Sequence, residues 1–492
     1  MSCLIAAPCS GSGKTLVSLC LLAMARRRGA SVQPFKVGPD YLDPQLLAAV
    51  AGRPCRNLDP LLCGEAWLQR SFHGYGSRAD RVLVEGVMGL FDGRGPSSEG
   101  SSAAVAALLD LPVVLVVEAS RQAGSLAALV RGFRDHGPPA VRLAGVVLNR
   151  VATPRHRALL REAMAAIDVP LLGTLPPHPA LELPSRHLGL HPPHELDDLA
   201  QRQELWADLA EQHLDLERLW PLLAPPAPPA DGLDPIRWRL GPVTAARSGD
   251  AEGARPVAVA RDAAFHFLYP EAEELLQAVG LTPIPWSPLA DEPLPADCRA
   301  VLLPGGYPEL HARTLAGSHV SLGALRQAAR GGLPVVAECG GLLLLGHSLV
   351  DAEGVSHRMA GVLPFTARRG PLSLGYREAV VQVDGLLVRR GERLTGHEFH
   401  RWQLEPLAGA AQTLAAQPGL WQLDGWGCPS RIEGWTTANL HASWLHLHWA
   451  GWPEIPSRLA ALSGPAVPRP PSAASSPSRR PTAQAHLPSA GG

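Results

Sequence analysis

The strongest constraint on this chain lies in its first fifteen residues, Met1-Ser-Cys-Leu-Ile-Ala-Ala-Pro-Cys-Ser-Gly-Ser-Gly-Lys-Thr15. The apolar run Cys3 to Ala7 reads as a buried strand, the Gly/Ser stretch as a tight turn, and Leu16–Ala25 as an apolar helix. Strand, glycine-rich loop, Lys-Thr and helix, in that order, make a phosphate-binding loop. Gly11, Ser12 and Gly13 let backbone N–H groups turn inward around an anion, and the helix start adds its positive dipole end. Lys14 supplies a point charge for the outer phosphates and Thr15 a hydroxyl for Mg²⁺. Pro8 stands where the usual pattern has its first glycine, so the match is to the variant A-P-x-S-G-x-G-K-T. The bland reading is a Gly/Ser turn with a surface lysine. It is disfavoured because strand and helix both sit where phosphate binding needs them.

A chain of 492 residues implies two to four domains. Its 44 basic and 45 acidic residues leave no excess of charge that would argue for nucleic acid or an acidic membrane surface as partner. No apolar run approaches the roughly 20 residues that span a bilayer. The eight cysteines include no C-x-x-C pair, so neither a zinc site nor a disulfide framework is indicated. With a strand beginning at residue 3 there is no room for a signal peptide, and the expected location is the reduced cytoplasm.

Along the first half, strands are expected at Ser31–Val37, Val82–Val84, Leu111–Glu118, Leu143–Asn149 and Pro170–Leu175. Helices are expected at Ser102–Leu109, Leu126–Phe133 and Arg155–Ala166, with one or two more over Asp197–Leu219. Alternating strands and helices mean a doubly wound parallel sheet, whose ligands sit beyond the strand ends. Asp40 and Asp43 lie there, in Gly38-Pro-Asp-Tyr-Leu-Asp-Pro44, either to hold Mg²⁺ or a substrate group or as an Asp-Pro turn with a helix cap. Glu85 ends a buried strand where a metal-side carboxylate is expected, and a Gly-rich loop with Asp92 follows. Asn149-Arg150 fits either an adenine-side contact or a simple turn.

Residues 221–255 open with the extended, proline-rich Pro221–Pro229 and read as a linker between domains. A second α/β pattern then begins: strands Pro256–Ala260, Ala300–Leu303 and Pro334–Ala337, and helices Phe265–Gly280, Leu322–Arg330 and Leu342–Leu349. Between Ala337 and Leu342, Glu338-Cys-Gly-Gly341 has the form of a nucleophile elbow, a bend that exposes one side chain at a helix start. There a dipole favours the thiolate, so Cys339 is the candidate nucleophile. Its base is sought among the histidines of Gly396-His-Glu-Phe-His400 and His441–His448, rather than a metal being sought there. Ser443–Trp449 reads as a strand with His446 and His448 on one face. Pro304-Gly-Gly-Tyr307 can offer N–H groups to an oxyanion, Val362–Gln403 is expected to complete the sheet, and 453–492 is expected to be disordered.

Seven motifs, in order over nearly all of residues 1–450, resemble those of the cobyrinate (or hydrogenobyrinate) a,c-diamide synthases of corrin biosynthesis. They are A-P-C-S-G-S-G-K-T (7–15), K-V-G-P-D-Y-L-D-P (36–44), V-E-G-V-M-G-L-F-D-G (84–93), L-P-G-G-Y-P-E (303–309), A-E-C-G-G (337–341), G-H-E-F-H (396–400) and A-S-W-L-H-L-H-W (442–449). The resemblance implies an α/β chain of two parts. The first, residues 1–220, is an ATP-binding, dethiobiotin-synthetase-like amide-synthetase domain; the second, 256–452, is a class I glutamine amidotransferase domain. Cys339 attacks the amide of L-glutamine, His446 is its base, and N–H groups near Gly305 and Gly306 stabilise the oxyanion. Ammonia then passes through the interior to the front domain, where ATP and Mg²⁺ activate a corrin carboxylate as an acyl phosphate. Asp40, Tyr41, Leu42, Asp43, Glu85 and Asp92 fall in the segments that bind Mg²⁺ and corrin, with Thr15, Asp43 and Glu85 on the metal side. Two rounds amidate the a- and c-acetates of cobyrinic acid. A homodimer is compatible with the resemblance.

Two departures stand out. Class I amidotransferases place a Glu two residues after the histidine, and here that residue is His448; Glu338, beside the nucleophile, looks ill placed to replace it. In Ala264–Glu271 the family's second aromatic and its Asn are replaced by Leu268 and Ala272. The alternatives are a cobyric acid synthase, which the K-V-G-P-D-Y-L-D-P motif disfavours, and a partitioning-type ATPase switch, which needs no cysteine elbow.

Overall fold

The apolar runs of the first half form one seven-stranded, all-parallel sheet in a computed structural model that describes residues 2–186, 189–245, 255–409 and 419–462. In chain order its elements are β1 (Leu4–Ala6), α1 (Lys14–Arg27), β2 (Val32–Val37), α2 (Leu42–Ala51), β3 (Arg56–Leu58), α3 (Pro60–Cys63), α4 (Glu65–Gly76), β4 (Arg81–Glu85), α5 (Ser102–Leu108), β5 (Val113–Glu118), α6 (Ser125–Asp135), β6 (Leu143–Asn149), α7 (Pro154–Ala165) and β7 (Leu171–Thr174). The strand order is β3-β2-β4-β1-β5-β6-β7, so β1 is central, and the chain reverses its direction of winding there. Helices cover both faces, which is why β1, β4 and β5 read as almost unbroken apolar runs. Every strand expected in this half is present; the added β3 is a short edge strand that carries the polar Arg56 and Asn57.

After a two-strand hairpin, β8 (Ser185–Arg186) and β9 (Gly189–Leu190), come α8 (Leu199–His213) and α9 (Leu216–Leu219). Trp206 of α8 is fully buried and donates its indole N–H to the Ala180 carbonyl at 2.7 Å. Of the expected linker, residues 246–254 lie outside the described residues, and 221–245 are more ordered than their composition suggested. This stretch holds α10 (Pro235–Ala245), which is broken by a kink at Gly241 (φ 70°), packs against α4 and buries Ile236. Asp231 and Asp234 anchor this segment to Arg70 and Arg78.

The second parallel sheet runs β11-β10-β12-β13-β21-β20, with only the β20–β21 pair antiparallel. Its elements are β10 (Pro256–Ala260), α11 (Pro270–Ala278), β11 (Thr282–Trp286), β12 (Ala300–Leu303), α12 (Ala312–Gly317), α13 (His319–Arg330), β13 (Val335–Glu338) and α14 (Gly340–Leu345). Later come β20 (Trp435–Thr436), β21 (Leu440–Ser443) and α15 (Glu454–Leu462). The intervening chain does not complete this sheet as expected. It forms a separate one from β14 (Ser348–Val350), β15 (Ser356–Arg358), β16 (Phe365–Val381), β17 (Arg393–Pro406), β18 (Trp421–Gly425) and β19 (Cys428–Glu433). The long antiparallel β16–β17 ribbon dominates it.

Four other expectations are corrected. The helix expected at Phe265–Gly280 begins only at Pro270, because Phe265 and Phe267 tie back to Asp262 and Gly305 by backbone bonds. The helix expected at Leu342–Leu349 ends at Leu345, and Ser348–Val350 pairs instead as β14. Ser443 ends β21, so 444–448 is a loop rather than a strand. Of the tail expected to be disordered, Glu454–Leu462 is α15 with Ile455 and Leu459 buried, and 463–492 lies outside the described residues. Among the described residues no helix is long and apolar enough to cross a membrane.

Candidate active site

The phosphate-binding loop leaves β1 and enters α1 at Lys14. Gly11 and Gly13 both have left-handed φ, 83° and 107°. At Gly13 a side chain is excluded twice over, since a Cβ would also fall 2.4 Å from Asn149 Nδ2. Asn149 itself donates Nδ2 to the Ser12 carbonyl at 3.1 Å and so braces the loop from β6. Lys14 is buried at the helix start, and its pKa is lowered by burial and by the nearby Lys36 ammonium.

Parallel pairing of β1 with β4 brings Glu85 beside the loop. Thr15 Oγ1 donates to Glu85 Oε1 at 2.9 Å. The same oxygen accepts from Lys36 Nζ at 2.7 Å, and Lys36 reaches Asp43 Oδ2 at 2.6 Å and Asp40 Oδ2 at 3.8 Å. Thr15, Asp43 and Glu85 are thus gathered, and the residue that gathers them, Lys36, was missed from sequence. A lysine within the otherwise apolar stretch Phe35–Val37 was the available signal, because a lysine is rarely buried unless paired. Burial alone raises the Asp43 carboxyl, but the Lys36 ammonium more than reverses this and holds it below the usual range. Asp40 is pushed the other way, by burial and then by the charge of Asp43. Asp40 is also a cap: its Oδ1 accepts from the Leu42 N–H at 2.8 Å and the Asp43 N–H at 3.3 Å. The two readings of this turn are therefore compatible.

The oxygen donors of Thr15, Asp43 and Glu85 are of the kind a divalent cation takes, although among the described residues no three His, Cys, Asp or Glu side chains converge as a metal site. Glu85 Oε2 is buried and accepts no hydrogen bond among the described residues, and a cation, the Lys36 ammonium, already lies between the carboxylates.

Asp40, Tyr41, Leu42, Asp43 and Asp92 border one cavity of about 470 Å³, closed on its far side by the β16–β17 ribbon. Asp92 is fixed there by accepting the Gly89 N–H at 2.7 Å. Its mouth is apolar: Met88, Leu374 and Trp426 are 42%, 50% and 71% exposed. Trp426, at the tip of the β18–β19 hairpin, lies against Gly95 of the front module. The sequence signal for it was a tryptophan set between two glycines, where packing is not served.

The thiol site lies on the other side of the same wall. Cys339 follows β13 with φ 48° and ψ −104°, a strained conformation for a residue with a side chain, as an elbow requires. Its Sγ donates to the Phe399 carbonyl at 3.7 Å. Burial, followed by the charges of Glu309, Glu398 and Glu338, pushes the thiol pKa up, so the resting group is a thiol that needs a base. Gly306, Tyr307, Cys339 and Gly340 border a narrow pocket. The histidine that borders this pocket is His400, whereas His446 borders the front cavity and reaches the thiol side at the Gly305-Gly306 turn. A Cβ on Gly305 would fall 2.4 Å from His446 Cε1 and 3.3 Å from Nε2, and among the described residues no hydrogen bond joins His446 to the Cys339 thiol. Only glycine admits the imidazole this close to the Gly305-Gly306 turn.

His446 and His448 do not share a face. The loop turns His446 toward Gly305, while the His448 ring stacks on Tyr269 at 4.3 Å and points Nε2 at Glu271, 3.6 Å away. Glu338, which looked ill placed from sequence, has Oε2 3.7 Å from His446 Nδ1. Tyr41 joins the two halves. Its ring lies 5.1 Å from both the Phe267 and His446 rings and 4.5 Å from that of Tyr269. Phe267 and Phe399 border both cavities. Around this wall the modules are cross-linked by Arg56–Glu271, Tyr376–Asp59 and Arg94–Glu378.

Comparison with known proteins agrees with this division. Residues 3–190 match the CobQ/CobB/MinD/ParA nucleotide binding domain family, and residues 256–453 the CobB/CobQ-like glutamine amidotransferase domain family. The cobyrinate a,c-diamide synthase of Gloeobacter violaceus is 44% identical over 452 residues, covering 91% of this chain and 94% of that one. The chain belongs to the cobyrinate a,c-diamide synthase family. A relative named for a different substrate matches as well: the hydrogenobyrinate a,c-diamide synthase of Streptomyces coelicolor is 41% identical, covering 92% of this chain and 96% of that one. The cobyrinate a,c-diamide synthase of a Synechococcus strain is 42% identical over 92% of this chain and 96% of that one. The family match takes in both modules, whereas a partitioning-type switch would account for the front one alone.

Proposed function

We propose that this chain amidates the a- and c-acetate carboxylates of cobyrinic acid, or of cobalt-free hydrogenobyrinic acid, taking nitrogen from L-glutamine and energy from ATP. Cys339 Sγ gives its proton to His446 and attacks the glutamine amide carbon, while the Gly305-Gly306 turn faces the developing oxyanion. The proton returns to the departing nitrogen, which leaves as ammonia, and water releases glutamate from the thioester. Across the wall, a corrin carboxylate attacks the γ-phosphorus of ATP held by Gly11–Thr15, giving an acyl phosphate and ADP. Ammonia displaces phosphate to form the amide. A carboxylate needs this step because oxide is not a leaving group and phosphate is.

Lys14 at the phosphate-binding loop and Lys36 beside Glu85 would bring positive charge to the transferred phosphoryl group, and Asp40 and Asp92 border the cavity that would receive the ring. Thr15, Asp43 and Glu85 would hold Mg²⁺, which when bound supplies further positive charge to the phosphate oxygens. The apolar rim of Met88, Leu374 and Trp426 suits a flat macrocycle with charged edges.

The observation that carries this reading is the shared wall. Phe267 and Phe399 border both cavities, so one layer of side chains separates nitrogen released at Cys339 from the cavity that Asp40 and Asp43 border. Both sites lie within one chain, so the chemistry does not require a homodimer. All eight cysteines are unpaired, which favours a cytoplasmic setting. The test is to incubate the protein with cobyrinic acid, ATP, Mg²⁺ and glutamine and to count amides by mass. Two are expected. Four would mean a cobyric acid synthase, and none would refute the proposal.

A further inference from the structure

The loss of the usual third member of the cysteine–histidine site raises the question of what orients the base. His448 occupies the sequence position of that acid, but it is turned onto Tyr269 and Glu271 and does not approach His446. His446 Nδ1 is buried and makes no hydrogen bond among the described residues. The one carboxylate within 4.0 Å of a His446 ring nitrogen, among the described residues, is Glu338. We propose that Glu338, the residue immediately before the thiol, is the positioning acid that orients His446 and balances its charge. This rests on the reading of Cys339 as nucleophile and His446 as base.

Strand register produces the arrangement. β13 pairs in parallel with β21 so that Glu338 lies opposite Ser443, and the Cys339 N–H donates to the Ser443 carbonyl at 2.8 Å. The loop that leaves Ser443 reaches His446 three residues on, and an isolated bridge between His397 and His446 fixes it. The same strand end therefore delivers the acid and the thiol, while its neighbour delivers the base. The edge bearing Cε1 and Nε2 faces Gly305, and Nδ1 faces Glu338. Glu338 and His446 are 5% and 1% exposed, so no water shell offsets a charge that forms on the ring. Closing 3.7 Å to a hydrogen bond takes a small side-chain rotation.

When Cys339 Sγ–H passes its proton to Nε2, the ring becomes imidazolium. Its Nδ1–H donates to the Glu338 carboxylate, which stays ionised throughout. The proton leaves again from Nε2 to the departing ammonia. The other titratable groups around the ring are His397 from β17 and the Tyr41 phenol from the start of α2; Tyr269 lies beyond Tyr41, and the Cys339 thiol donates to the Phe399 carbonyl. Glu309 and Glu398 act on the thiol side. None of these places a carboxylate at Nδ1.

The test is the rate of glutamine hydrolysis against pH for Glu338→Gln and Glu338→Asp in the full chain. In Glu338→Gln, kcat is expected to fall by about 10- to 100-fold with KM for glutamine little changed. Both limbs of the kcat/KM profile move to lower pH, because removing a negative charge destabilises the imidazolium and eases ionisation of the thiol. Glu338→Asp keeps the charge on a shorter stem. It restores the limbs to their wild-type pH and recovers only part of the rate. Wild-type kcat with unmoved limbs in Glu338→Gln would overturn the proposal, as would a shift in Glu338→Asp as large as in Glu338→Gln. If Glu338→Gln does not fold, Glu338→Asp decides alone: reduced kcat on unmoved limbs supports the assignment, and wild-type kcat refutes it. Cys339→Ala in the same assay separates the two levels, since hydrolysis that survives it overturns the thiol reading itself.

Discussion

Lys36→Met removes the ammonium that gathers the front site while keeping most of the apolar stem. Lys36 is 1% exposed, Glu85 is 0% exposed, and the ammonium lies 2.6 Å from Asp43 and 2.7 Å from Glu85. Its loss strands two buried carboxylates, and breaking such a pair costs about 3–5 kcal/mol. In a module of this size each kcal/mol lowers Tm by about 2–4 °C, so a fall of about 6–20 °C is expected. The pH dependence has a definite sign. In the wild type Asp43 is held below its usual range, so its contribution is present above the unfolded carboxyl pKa of about 3.9 and is lost as pH falls further. In the variant the stranded carboxylates rise in pKa, so the penalty is full near neutrality and is relieved on acidification. The Tm gap between the two proteins is therefore wider at about pH 8 than at about pH 5. Mg²⁺ without nucleotide should raise the Tm of the variant and leave the wild type nearly unmoved, because it replaces the missing cation. Thermal melts at both pH values, with and without Mg²⁺, read all three effects. A variant that melts within about 2 °C of wild type at the higher pH, with no response to Mg²⁺, would refute the reasoning.

Phe267→Ala opens the wall between the cavities. Glutamine hydrolysis should continue, while glutamate formed per amide rises above one; an unchanged ratio would show that Phe267 does not confine the nitrogen. Trp426→Ala removes the exposed ring at the cavity mouth and should raise KM for the corrin about 10-fold without altering glutamine hydrolysis measured alone. An unchanged corrin KM would move ring binding elsewhere. Burial lowers the pKa of His397 to about 3, of His441 to about 4 and of His448 to about 3, so each is neutral in the folded chain and gains its proton on unfolding. Stability of the rear module should thus fall as pH drops below about 6.5, by up to about 4 kcal/mol per pH unit for three protons. Urea midpoints measured over that range check it, and a flat profile would contradict it.

What could be read from the sequence was whatever is encoded locally. The phosphate-binding loop, the carboxylate at the end of β4 and the cysteine elbow each need a particular residue at a particular turn, and each is where that need placed it. Parallel strands buried on both faces are continuous apolar runs, so the two parallel sheets were visible before their order was. The rest depends on pairing at a distance. Of the β16–β17 ribbon the sequence showed only strand-like runs such as Tyr376–Val383, expected to complete the parallel sheet; its length was hidden because its exposed part carries Arg368, Arg369 and Gly370 in place of clean alternation. The histidine segment alternates as a strand would, yet Ser443 is its last ladder residue, and this put His446 and His448 on different faces. Glu338 draws its role from the neighbouring strand; Lys36 has Asp40 and Asp43 within seven residues, but Glu85 reaches it from β4, and no window along the chain contains that partner.

The central claim is that nitrogen freed at Cys339 reaches the activated carboxylate without leaving the protein. It is tested most directly by supplying amide-¹⁵N glutamine together with an equal concentration of unlabelled ammonium and measuring the isotope in the product amides by mass spectrometry. Two amides carrying ¹⁵N, undiluted by the ammonium in solution, are expected. Amides that carry the mixed isotope ratio of the bulk solvent would contradict it.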